Sequence, residues 1–159
     1  MSARPDLRFE LISNPRYLCG LRECMSQTAR QLGFSEMACS QVALAVDEAV
    51  SNVMKHGYER RTDGPIWVSV YPLEASDPEG PGLKVVIEDE ARQVDPSSIR
   101  GRDLADIRPG GLGVHIIREV MDRATYEQRQ PTGMRLTLVK RLPPEGASSQ
   151  PSPQPGGGL

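Results

Sequence analysis

Glu48 and Asn52 stand four residues apart in the run DEAVSNVMKHGY, Asp47 to Tyr58. On a helix that spacing sets the two side chains next to each other on one face. A carboxylate beside a neutral amide suits divalent-metal and phosphate chemistry. The amide oxygen can ligate Mg²⁺ without adding charge, while the carboxylate can orient or deprotonate an attacking hydroxyl or water. Polar pairs at this spacing are also commonplace on solvated helix faces, so the surroundings decide between the two readings. Lys55, His56 and Gly57 follow one to two turns beyond Glu48 and put cationic and hydrogen-bonding groups where an anion could lie. A histidine at a helix end equally serves the helix dipole.

Asp89 follows the apolar run Leu83 to Glu88, LKVVIE. An ionised aspartate offers acceptors only, as recognition of adenine's exocyclic amine requires; it is also a common turn former. Further on, Gly110, Gly111 and Gly113 lead into a segment with Val114, Ile117 and Met121 on one side. Amides at a helix N-terminus point outward beside the positive end of the dipole, and absent β-carbons let phosphate oxygens approach. This GGLG run is not a Walker A loop, which needs GxxxxGK followed by Ser or Thr. Nor is it a dinucleotide fingerprint, which needs Gly where Ile116 stands.

The elements that must position these groups are legible from periodicity. Val42, Ala45, Val46, Ala49, Val50 and Val53 follow a helical template, with Ser35 as cap and an end near His56 and Gly57. Leu18, Leu21, Met25, Ala29 and Leu32 stripe an earlier helix from Pro15, stopped at Gly33. Leu7–Ser13, Ile66–Leu73 and Leu83–Glu88 read as strands, and Ala124–Gln128 with Met134–Lys140 as a closing hairpin. A short helix is expected over Val114–Met121, and the long polar connection Asp89–Pro109 before it is of a length common in functional lids. The order β α α β β, connection, α β β implies an α+β domain: a mostly antiparallel sheet with about three helices on one face.

The chain has 159 residues, 38% hydrophobic and 25% charged, which fits one folded domain. Nineteen basic residues against 21 acidic ones leave no excess to neutralise a nucleic-acid backbone. No apolar run approaches the roughly 20 residues needed to cross a bilayer, and Met1–Arg8 lacks the apolar core of a signal peptide, so a cytoplasmic protein is expected. Cys19, Cys24 and Cys39 form no CxxC pair and are expected to be reduced, half-buried helix residues. From Pro143 to Leu159 five prolines and four glycines leave little to bury, so the domain is expected over residues 1–142, with 143–159 a disordered tail.

EAVSN on a helix, an aspartate at a strand end and GGLG opening a later helix, in that order, resemble the GHKL or Bergerat-fold ATPases from about Ser35 to Leu142. DEAVSNVMKHGY is similar to the N box of the anti-sigma-factor serine kinases in that superfamily, and RPGGLGVHIIREVMD, Arg108 to Asp122, to their second glycine box. The resemblance implies a two-layer α/β sandwich of the histidine-kinase-like ATPase type that uses ATP and Mg²⁺. It further implies Glu48 as general base, Asn52 as Mg²⁺ ligand and Asp89 as partner of the adenine amine. Gly111 and Gly113 would cradle phosphates, with Arg108 and Gly110 contributing from the lid, Leu112 between them, and His56 close to the nucleotide. The first glycine box departs from the family's DxGxG: Ala91 stands where glycine is expected, so the turn beside adenine must differ or the pocket be narrower. Implied partners are a STAS-type anti-anti-sigma factor, a sigma factor and a second copy of the chain paired through its first strand and helix. Two other classes stay open: a nucleotide-sensing switch that transfers no phosphate, and a domain that sequesters a protein without nucleotide.

Overall fold

The structure is a computed structural model that describes residues 4–99 and 112–144. Arg108, Gly110, Gly111, the later part of the Asp89–Pro109 connection and residues 145–159 lie outside the described residues.

Strand β1 (Leu7–Ile12) leads through a 3-10 turn at Pro15–Tyr17 into α1 (Leu18–Gln31) and then α2 (Glu36–Asn52). β2 (Pro65–Leu73) and β3 (Gly82–Asp89) follow, then α3 (Gly113–Val120), β4 (Arg123–Gln128) and β5 (Met134–Arg141). The five strands form one sheet in the order β1-β2-β3-β5-β4. Every neighbouring pair is antiparallel, which goes further than the mostly antiparallel sheet expected from the sequence.

Strand alternation fixes which face carries the helices. Ile66, Val68 and Val70 of β2, Leu83, Val85 and Ile87 of β3, and Leu136 and Leu138 of β5 are buried on one face. Onto it pack Cys39, Val42, Val46, Ala49 and Val50 of α2, Met25 and Ala29 of α1, and Ile117 of α3. Ser35 caps α2 as expected, its Oγ accepting from the Ala38 amide at 3.2 Å. A bidentate pair from Arg30 to Glu36, at 2.6 Å for both contacts, spans the junction of α1 with α2.

Two local expectations change. The α-helical ladder of α2 stops at Asn52, and Val53–Gly57 continues as a π-helical turn whose wider backbone ring re-aims the residues after Asn52. The cysteines are not half-buried: Cys19 and Cys24 are exposed on the solvent side of α1, whereas Cys39 faces the core. Among the described residues no helix is long and apolar enough to cross a membrane.

Candidate functional site

A cavity of about 450 Å³ opens where the end of α2 and its π-turn overhang the inner face of β3, β5 and β4, with the first turn of α3 at its edge. Asn52, His56, Asp89, Ala91 and Gly113 all line it. Its volume falls within the usual range for small-molecule sites.

Asp89 ends β3 and is only 3% exposed. Its Oδ1 accepts from the amides of Ala91 at 2.8 Å and Met134 at 3.1 Å, while Oδ2 has no hydrogen-bond partner among the described residues. Burial pushes the Asp89 carboxyl above its ordinary range, and the two amides and Arg129 pull against that shift. One oxygen is therefore anchored and the other left as an acceptor on a largely apolar wall that includes Ile87, Met134 and Leu136.

The backbone just beyond Asp89 is held from three sides. Tyr58 donates its hydroxyl proton to the Pro65 carbonyl at 2.6 Å and accepts from the Glu90 amide at 2.8 Å. Arg129 donates to the Asp89 carbonyl at 2.5 Å, lies 5.2 Å from the Trp67 ring centroid and pairs with Glu88 at 3.3 Å. Thr132 donates to the Ala91 carbonyl at 3.3 Å. In this frame Ala91 has no positive φ and its side chain is buried, so alanine is compatible with the turn and its methyl forms part of the cavity wall.

At the other end, a β-carbon built on Gly113 would lie 2.6 Å from Glu48 Oε2 and 3.2 Å from Asn52 Nδ2. The i, i+4 pair on α2 therefore meets the start of α3 at a spot that only glycine leaves open. Asp47 turns the other way, its Oδ1 lying 3.8 Å from Arg22 of α1. Glu48 is half-buried against Gly113 at the rim and does not line the cavity. Leu112 is 50% exposed and does not line it either. Among the described residues no three His, Cys, Asp or Glu groups gather as a metal cluster. A hard cation here would rest on the Asn52 amide and on oxygens brought by a ligand.

Such an arrangement can hold an amine-bearing heterocycle at Asp89 and an anionic group between Asn52 and Gly113. Tyr58, Arg129, Tyr126 and Met134 escaped the sequence reading, although each shapes the site. Tyr126 and Met134 belong to the alternating pattern of the closing hairpin, but nothing in that pattern says which cavity its inner face meets.

Comparison with known proteins identifies the family. Residues 11–140 match the family model of the histidine kinase-like ATPase domain. A serine-protein kinase RsbW of Listeria innocua is 30% identical over 122 residues, covering 73% of this chain and 75% of the relative. The RsbW of Staphylococcus epidermidis is 24% identical over 152 residues, covering 91% of both. Among solved structures, the RsbU and RsbW domains of Rv1364c from Mycobacterium tuberculosis superpose with a TM-score of 0.57 at 16% identity, covering 85% of this chain and 31% of that one. The fold, the order of the site segments and these relatives together show that the chain belongs to the histidine kinase-like ATPase family, on the branch of the RsbW serine-protein kinases.

Proposed function

We propose that the chain is an ATP- and Mg²⁺-dependent serine kinase that phosphorylates a small STAS-type anti-anti-sigma protein and sequesters a sigma factor while that antagonist is phosphorylated. The observation that carries this reading is the approach of Gly113 to both Glu48 and Asn52, at the edge of a cavity whose far wall offers the unpartnered Oδ2 of Asp89. Asp89 would accept the adenine amine through Oδ2, and the Asn52 amide oxygen would help hold Mg²⁺. When bound, the ion neutralises phosphate charge. Gly113 lets the phosphates approach the N-terminus of α3. Glu48 accepts the proton of the substrate serine as the serine oxygen attacks the γ-phosphorus, the bond from that phosphorus to the β–γ bridging oxygen breaks, and ADP leaves. His56, on the cavity wall, faces the nucleotide from the π-turn. The named partners rest on likeness to the RsbW kinases, because a fold alone does not specify partners.

The test is transfer of labelled γ-phosphate to a cognate antagonist. Glu48→Gln is expected to lower kcat by about 10² or more while leaving ATP affinity close to wild type. Transfer at the wild-type rate would remove Glu48 as base. A second reading, an ATP- or ADP-binding switch without phosphoryl transfer, is favoured by the position of Glu48 at the rim rather than in the cavity wall. Nucleotide binding with no phosphoserine formed would select it.

A further inference from the structure

Tyr126 sits on β4, opposite Leu136 of β5, which in turn lies opposite Ile87 of β3. It faces the helices and lines the cavity from the side away from Asp89. Asp89 and Tyr126 stand on strands separated by β5, and Tyr126 is level with Ile87, two residues before Asp89, so their backbones lie about 12 Å apart across two strand spacings and one two-residue step. The hydroxyl of Tyr126 makes no hydrogen bond among the described residues and is not sealed away from solvent. This contrasts with Tyr58, whose hydroxyl is used twice within the protein. Burial raises the phenol above its ordinary range, with Arg118 acting in the opposite sense, so at neutral pH the group remains an O–H able both to donate and to accept. A phenol that no protein group engages and that still reaches solvent is free to exchange water for a group on a ligand.

We propose that Tyr126 is a nucleotide-recognition residue whose hydroxyl hydrogen-bonds the nucleoside part of the bound nucleotide, on the cavity wall opposite Asp89. The inference rests on the reading of the cavity as a nucleotide site. A purine held by its amine at Asp89 extends its far edge and ribose across β5 toward β4, where both offer groups that pair with a phenol. The phosphates leave in another direction, toward Asn52 and Gly113.

The experiment is calorimetric titration of wild type, Tyr126→Phe and Asp89→Asn with ATP and with ADP, in the presence of Mg²⁺, alongside melting curves without nucleotide. Expected are ATP binding by wild type, a five- to tenfold weaker Kd for Tyr126→Phe with both nucleotides, and an unliganded Tm unchanged by that substitution. A wild-type Kd retained in Tyr126→Phe overturns the assignment while leaving the nucleotide reading intact. A loss seen with ATP and not with ADP also overturns it, because the contact would then be to the γ-phosphate. A lowered unliganded Tm assigns the hydroxyl to the fold instead. Wild type that binds neither nucleotide overturns the nucleotide reading itself, and Tyr126 with it.

Discussion

Gly57 and Ala91 face each other across the cavity wall: a β-carbon added to Gly57 would stand 2.9 Å from the methyl of Ala91. The alanine that departs from the family's glycine box is thus accommodated by a glycine in the π-turn, and the turn after Asp89 keeps its hydrogen bonds to Tyr58 and Thr132. Gly57→Ala is expected to destabilise the protein by about 1–3 kcal/mol through overpacking. Adding Ala91→Gly should restore at least half of that loss. Denaturant unfolding of the two single variants and the double variant measures the coupling, and strictly additive effects would contradict a matched pair.

Asp89 links pH to nucleotide binding. Its folded carboxyl is raised by burial, so it takes up a proton at a higher pH than a free aspartate, and the protonated form is a poorer acceptor for an amine. ATP affinity is expected to fall as pH drops through this raised value, starting above the ordinary carboxylate range. The stability linkage has the opposite sense: the native state binds the proton more tightly, so this group's contribution to stability declines as pH rises from the unfolded to the folded pKa. Titrating ATP against wild type and Asp89→Asn across this window checks the first expectation. The asparagine variant should bind weakly and lose this component of the pH dependence.

Gly113→Ala places a methyl 2.6 Å from Glu48 Oε2, so the carboxylate has to move. Misplacement by about an ångström can cost on the order of 10²-fold in rate. Phosphoryl transfer should therefore fall at least tenfold, with the melting temperature little changed. Unimpaired transfer would separate Gly113 from the chemistry of Glu48.

Tyr58→Phe removes one donor and one acceptor at once, leaving the Glu90 amide and the Pro65 carbonyl without their partner. Loss of such a buried pair costs about 1–3 kcal/mol. Denaturant unfolding should show that loss, together with weaker ATP binding as the segment beyond Asp89 loosens. Wild-type stability would mean that water replaces the hydroxyl.

The order of elements was legible because each carries its own period. The stripe from Val42 to Val50 could only bury as a helix, and Ile66 to Leu73 and Leu83 to Glu88 could only pair as strands. That Asn52, Asp89 and Gly113 meet at one cavity was implied by the order of motifs and not by any local signal, whereas Glu48, expected to face the same crevice as Asn52, lies at its rim. The π-turn after Asn52 was illegible, because Val53 to Gly57 continues the same helical pattern and the change of hydrogen bonding depends on what packs beneath it. Ala91 against Gly57, and Tyr126 on the cavity wall, join segments more than 30 residues apart in sequence, and no one-dimensional period encodes such a meeting.

The most direct measurement is a crystal structure of the full chain with Mg²⁺ and a non-hydrolysable ATP analogue. Expected are the adenine amine within hydrogen-bond distance of Asp89 Oδ2, and the metal on the Asn52 side-chain oxygen with the phosphates against Gly113. A nucleotide seated elsewhere, or one whose metal and phosphates stand away from α2 and the start of α3, would contradict the site.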